Sequence, residues 1–219
     1  MAERFRNRTE AGRRLAADLT GYAGRSDVRV LALPRGGVPV AFEVAHALDA
    51  PLDVFVVRKL GLPGHEEYAM GAIASGDVVM INEQVVRATG VSRAAIERVL
   101  DDERRELARR EELYRGSRPP VDVEGNIIIL VDDGLATGAS MFVAVEAVKR
   151  ERPARVVVAV PVAARETCDA LRRQADEVVC SMTPEPFHAV GLWYDDFSQT
   201  SDDEVHELLE LSRSSASPR

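Results

Sequence analysis

Residues 127–140, Ile-Ile-Ile-Leu-Val-Asp-Asp-Gly-Leu-Ala-Thr-Gly-Ala-Ser, concentrate the chemistry of this chain. An apolar, β-branched run ends in two adjacent carboxylates, Asp132 and Asp133, and a loop of glycines and small polar residues follows. Glycines let backbone N–H groups approach an anion closely, and the helix expected from Ala139 adds the partial positive charge of its N-terminus. Thr137 and Ser140 can donate hydroxyl hydrogen bonds. Such a loop suits a dianionic phosphate without a lysine. It is not a Walker A loop, because no Gly-Lys-Ser/Thr follows, and its glycine spacing is not that of a dinucleotide-binding turn. Two neighbouring carboxylates repel each other unless something compensates, and vicinal sugar hydroxyls or a Mg²⁺ shared with substrate oxygens would do so. The pattern points to a sugar phosphate. A plain turn capped by aspartates is the competing reading.

A second candidate anion loop is Pro34-Arg35-Gly36-Gly37, where glycines expose N–H groups and Arg35 adds charge or orients the loop. A strained or cis peptide is compatible with it. Arg58 and Lys59 close another apolar run. His65-Glu66-Glu67-Tyr68 offers Glu66 or Glu67 as a base, against the plainer reading of solvated loop acids. Trp193 could stack on a ring or sit in the core.

These groups need elements to hold them. Thr9 is read as the cap of a first helix carrying Leu15, Leu19 and Tyr22. Val28–Leu33 and Leu52–Val57 read as strands flanking a buried helix over Val38–Leu48. Residues 61–76, with four glycines and Pro63, read as a long loop or lid, with Ala72–Ala74 and Val78–Ile81 pairing as a hairpin. Ser92 caps a long charged helix to about Tyr114. Ile127–Val131, Arg155–Val162 and Glu177–Cys180 are further strands, alternating with helices over Ala139–Lys149 and Arg165–Arg173. Residues 184–201 look irregular, Asp202 caps a last helix to about Leu211, and 212–219 read as a disordered tail. Apolar strands alternating with helices imply a parallel sheet covered on both faces, with ligands beyond the carboxyl ends of its strands.

Composition bounds the rest. The 219 residues, 46% hydrophobic and 29% charged, fit one globular domain. A formal charge of −8 disfavours non-specific nucleic-acid or anionic-membrane binding. No apolar run reaches the ~20 residues of a membrane helix, and the charged N-terminus does not read as a signal peptide. Cys168 and Cys180 lack metal-ligand spacing and read as buried free thiols of a reduced, cytoplasmic protein.

Val131-Asp132-Asp133-Gly134-Leu135-Ala136-Thr137-Gly138-Ala139-Ser140 closely resembles the signature of type I phosphoribosyltransferases for 5-phosphoribosyl-1-diphosphate (PRPP), and Leu33-Pro34-Arg35-Gly36-Gly37 resembles their diphosphate loop. The resemblance implies a single three-layer α/β/α domain over 1–211, strand order 3-2-1-4-5-6 with strand 3 antiparallel, a flexible loop near 61–76 and a hood near 184–201. It implies transfer of the phosphoribosyl group from PRPP to a nitrogenous base or similar small nucleophile, with diphosphate released. Asp132 and Asp133 would bind the ribose hydroxyls and meet Mg²⁺ indirectly, through PRPP and water. Gly134 and Leu135 open the loop, and Ala136, Thr137, Gly138, Ala139 and Ser140 would hold the 5-phosphate. Arg35, Gly36 and Gly37, with Arg58 and Lys59 nearby, would meet the diphosphate. Glu67 is the candidate loop base. Trp193, Tyr194 and Asp195 would belong to the hood over the acceptor. A homodimer is implied too. Ala136 replaces the carboxylate of 6-oxopurine enzymes, which argues against hypoxanthine or guanine. Two alternatives are a non-catalytic PRPP-binding regulator and a different sugar-phosphate binder.

Overall fold

The computed structural model describes residues 4–116 and 118–215. Its central sheet has five strands in the order β2-β1-β6-β7-β8, all parallel: β1 Val28–Ala32, β2 Leu52–Val54, β6 Ile127–Val131, β7 Arg155–Val162 and β8 Glu177–Met182. Alternation along β6 shows why both faces must be covered. Ile127, Ile129 and Val131 join one core with Leu15, Val40 and Leu209. Ile128 and Leu130 join a second core with Met141, Val145 and Leu171. The first core is built by helices α1 (Arg8–Asp18), α2 (Gly37–Leu48) and α7 (Asp202–Ser215), the second by α5 (Ala139–Arg150) and α6 (Arg165–Leu171). All five residues of β6 are buried, as expected of a strand sandwiched between helix layers.

Three further strands, β3 (Val57–Leu62), β4 (His65–Ala74) and β5 (Val78–Ile81), form a separate antiparallel sheet. Two helices follow it, α3 (Glu83–Thr89) and α4 (Arg93–Arg115).

Most expected elements are present, and five readings are corrected. First, the expected strand over Leu52–Val57 splits. After Val54 the chain leaves the parallel sheet, so Arg58 and Lys59 lie within β3 instead of ending strand 2. Second, the antiparallel strand does not pair beside β2, so order 2-1-4-5-6 of the expected topology is present without its antiparallel edge. Beside β2, the buried Asp53 instead takes hydrogen bonds from Arg115 at the end of α4 and from the N–H of Val121. Third, residues 61–71 are β-ribbon and not loop: Val57–Leu62 pairs with His65–Ala74 around a short turn, with register shifts near Gly61, while the expected pairing of Ala72–Ala74 with Val78–Ile81 is present. Gly61 permits this close pairing, since a Cβ there would come 2.6 Å from the Glu66 carbonyl oxygen. Fourth, α7 runs to Ser215, past the expected end at Leu211, so residues 212–215 are helix; 216–219 lie outside the described residues. The first helix is capped by Asn7 and not Thr9.

The two cysteines are also corrected. Cys168 in α6 and Cys180 in β8 are joined as a disulfide. α6 leads directly into β8, so neighbouring elements bring together thiols that are 12 residues apart. The expectation of a cytoplasmic location drew on free thiols and loses that support. Among the described residues, no helix is long and apolar enough to cross a membrane.

Candidate active site

β1 and β6 are neighbours, but their crossovers lead in opposite directions, through α2 to β2 and through α5 to β7. This is the switch point of the sheet, where the loops after the two strands diverge and leave a crevice. Leu33–Gly37 and Asp132–Gly138 are those two loops, and they touch. The N–H of Leu33 donates to the Val131 carbonyl at 2.8 Å. A Cβ at Gly36 would come 2.1 Å from Asp133 Oδ2, and one at Gly37 would come 2.8 Å from the Val131 carbonyl oxygen. Glycine is therefore required here by space. The Pro34–Arg35 peptide is cis.

Asp132 and Asp133 are half-buried at the end of β6. Asp132 Oδ1 accepts the N–H of Asp133 at 2.8 Å. Asp133 Oδ2 accepts from Arg8, whose Nε and Nη2 lie 2.9 and 2.8 Å away. Among the described residues, the remaining oxygens, Asp132 Oδ2 and Asp133 Oδ1, have no hydrogen-bonding partner. Burial pushes the Asp132 carboxyl well above the usual range, and the neighbouring Asp133 charge adds to this. Burial also raises Asp133, opposed by Arg8.

The loop beyond is pinned at its centre. Leu135 is buried and bridges to Ala163, its N–H bonded to the Val162 carbonyl and its carbonyl to the N–H of Ala164. Thr167 of α6 donates its hydroxyl to the Ala136 carbonyl. Gly134 packs so closely that a Cβ would come 2.5 Å from Val190 Cγ1, in the segment expected to form the hood. Gly138, at φ +68°, caps α5 without a side chain. Among the described residues, the first N–H groups of that helix thus have no side-chain cap. Ala136, Thr137 and Ala139 are exposed around them, with Ser140 half-buried. This arrangement can take an oxyanion close to two carboxylates.

The other expected site residues are distributed unevenly. Lys59 and Ser140 line one cleft of about 470 Å³, shared with Arg58 and Glu66. Arg58 is paired there with Glu103 of α4 at 2.7 Å, so its charge is committed within the protein. Arg35 is half-buried, 3.8 Å from Asp202 at the start of α7. Glu67 is exposed on the ribbon tip, in a shallow depression formed by residues 64–68 alone. Glu66, not Glu67, borders the cleft that contains Ser140. Trp193 packs against the cluster of Phe5, Val162 and Tyr194, and its Nε1 is buried without a hydrogen-bonding partner among the described residues. Tyr194 is buried and donates its hydroxyl to the Asp133 carbonyl at 2.5 Å. Asp195 is exposed, its N–H bonded to the Phe5 carbonyl at 2.8 Å.

Arg8 went unread in the sequence. It lies 125 residues from Asp133, in a segment whose only visible signal is a run of alternating arginines. Nothing local announces that one of them is 11% exposed and turned inward.

Comparison with known proteins agrees with this geometry. The model of the phosphoribosyl transferase domain family matches residues 3–192. Two Mycobacterium tuberculosis proteins, named "Putative phosphoribosyl transferase MT0597" (strain CDC 1551) and "Putative phosphoribosyl transferase Rv0571c" (strain H37Rv), are each 47% identical over 206 residues. That match takes in 94% of this chain but 46% of each relative, so the chain spans about half the length of the curated relatives it matches. The crystal structure of TT1426 from Thermus thermophilus is similar at 44% identity and a TM-score of 0.81, covering 94% of this chain and 97% of that one. With the family model spanning both glycine-bearing loops, the acidic pair and the whole parallel sheet, the chain belongs to the phosphoribosyl transferase domain family.

Proposed function

We propose that the protein transfers the 5-phosphoribosyl group of PRPP to a small nitrogen nucleophile, releasing diphosphate. The observation that carries this reading is the pair of free carboxylate oxygens, one on Asp132 and one on Asp133, beside a helix N-terminus capped by Gly138. One free oxygen on each acid matches two vicinal hydroxyls, and the open N–H groups match the 5-phosphate. Arg35 and the N–H of Gly36 then serve the diphosphate, while Gly37, whose N–H is donated to the Leu33 carbonyl, allows the loops to pack closely, and Lys59 approaches from the cleft shared with Ser140. Catalysis on this arrangement is largely positioning and electrostatic support of the ribosyl cation.

Mg²⁺ belongs to the proposal in a limited form. Among the described residues, no group of three or more His, Cys, Asp or Glu could hold a metal. Two carboxylates do fit an ion that keeps most of its water and takes its remaining ligands from the substrate. Asp132 and Asp133 are the residues that would meet it, and when bound it would neutralise charge on the departing diphosphate. The acceptor is not a 6-oxopurine on this reading, because Ala136 offers no carboxylate. A homodimer is part of the same reading, and sedimentation velocity tests it.

The deciding experiment is diphosphate release from Mg²⁺–PRPP across a panel of bases, with Asp133→Asn as control. Turnover on at least one base, lost in the variant, is expected. Full activity in Asp133→Asn would sink the site assignment. Tight PRPP binding with no turnover on any base would instead assign the pocket to a sensor.

A further inference from the structure

The N-terminal segment is built into the hood. The N–H of Phe5 donates to the Trp193 carbonyl, and the N–H groups of Asp195 and Asp196 donate to the carbonyls of Phe5 and Arg6. Arg8 is the first residue of α1, immediately after this strap. Its guanidinium touches three things at once. It forks onto Asp133 Oδ2, it donates through Nη1 to the Ser198 carbonyl at 2.7 Å, and it lies over the Phe197 ring with Cζ 4.0 Å from the centroid. Tyr194 closes the group, 5.0 Å from Phe197 and bonded to the Asp133 backbone. A planar guanidinium can hold this position because its donors are fixed in one plane while its face stays free to stack.

The consequence falls on Asp133. Its Oδ2 is occupied by Arg8 and its backbone carbonyl is held by Tyr194, which restricts how the carboxylate can turn and leaves Oδ1 as the oxygen available to a ligand. Without Arg8, the carboxylate would be free to rotate and would face Asp132 uncompensated. We propose that Arg8 is a positioning residue. It aims Asp133 at the ribose hydroxyls and ties that aim to the hood through Ser198 and Phe197. The inference rests on reading Asp133 as a ribose-binding acid, as proposed above. It adds a residue from the far N-terminus and a physical link between the sugar site and the element over the acceptor.

Because Arg8 acts through Asp133, it should affect ligands that carry the ribose and spare those that do not. The test compares binding of ribose 5-phosphate and of inorganic phosphate by titration calorimetry, in the wild type, Arg8→Gln and Arg8→Lys. The wild type should prefer ribose 5-phosphate. Arg8→Gln should reduce that preference by about tenfold, the usual scale for loss of a charge-assisted contact, with phosphate affinity retained. Arg8→Lys, which keeps the charge but not the fork, should fall between the two. Equal loss of both affinities would make Arg8 only a scaffold and overturn the inference. An unchanged preference in Arg8→Gln would overturn it too, while leaving the ribose reading intact. No preference in the wild type would instead remove the ribose reading itself. Should Arg8→Gln fail to fold, Phe197→Leu decides: loss of ring support should lower the preference by about twofold, and an unchanged ratio overturns the proposal.

Discussion

Asp132 carries a conflict between folding and binding. Its carboxyl is raised by burial and by Asp133, so the folded state holds its proton at a pH where the unfolded chain has released it. The native state therefore binds more protons between the unfolded value of about 3.9 and the raised folded value, and stability falls as pH rises through that window. An asparagine has no charge to desolvate, and its Oδ1 can still accept the N–H of Asp133. Asp132→Asn should therefore melt at a higher temperature than the wild type at pH 7.5, with the difference closing near pH 3, and should lose stabilisation by PRPP. Scanning calorimetry at the two pH values checks the sign. A variant that melts lower at pH 7.5 would show that the acid stabilises the fold. Gly36 makes the complementary point: an alanine there would thrust its Cβ to 2.1 Å from Asp133 Oδ2. Gly36→Ala should abolish PRPP binding in the same assay, because one of the two loops must move.

At the scale of elements, the phosphate loop depends on a helix it does not belong to. α6 presents Thr167 to the Ala136 carbonyl, and the same side chain lies where a Cβ on Gly138 would come, 2.7 Å from Thr167 Cγ2. Thr167→Val keeps the shape but removes the hydroxyl, leaving the Ala136 carbonyl without that donor. A loss of about 1 kcal/mol in urea unfolding is expected, with weaker phosphate binding as the loop loosens; unchanged phosphate affinity would show that Leu135 and its bridge hold the loop alone. The elements of the parallel sheet were legible in the sequence because period and composition agree: Ile127–Val131 and Arg155–Val162 appear with the expected boundaries. The β-ribbon over 57–74 was not. Its glycines, proline and charged residues read as a loop, and only antiparallel pairing across the turn between Leu62 and His65 turns that composition into strands.

For the whole molecule, one buried ion pair joins the two halves of the architecture. Asp53 in β2 and Arg115 at the end of α4 have side chains 2% and 8% exposed, and Asp53 also takes the N–H of Val121. Breaking such a pair from one side strands a buried charge, at about 3–5 kcal/mol. Arg115→Met should lose that much stability by urea unfolding, and a loss under about 1 kcal/mol would mean that Asp53 is adequately held by backbone donors. The pair lies in β2 and α4, away from the loops after β1 and β6, so ligand affinities of the folded fraction should be unchanged.

The sequence by itself determined the parallel sheet, the two glycine-bearing loops and the acidic pair, because each is written in contiguous residues whose types suffice: β-branched runs for buried strands, glycines for close backbone approach, paired aspartates at a strand end. The tertiary structure alone decided which of those groups meet. It committed Arg58 to Glu103, left Glu67 on an exposed tip, joined Cys168 to Cys180, and brought Arg8 across 125 residues to Asp133. The physical reason is that ion pairs, stacking and carboxylate orientation depend on distances of about 3–4 Å between elements, and those distances are set by how whole layers pack, which no local pattern encodes.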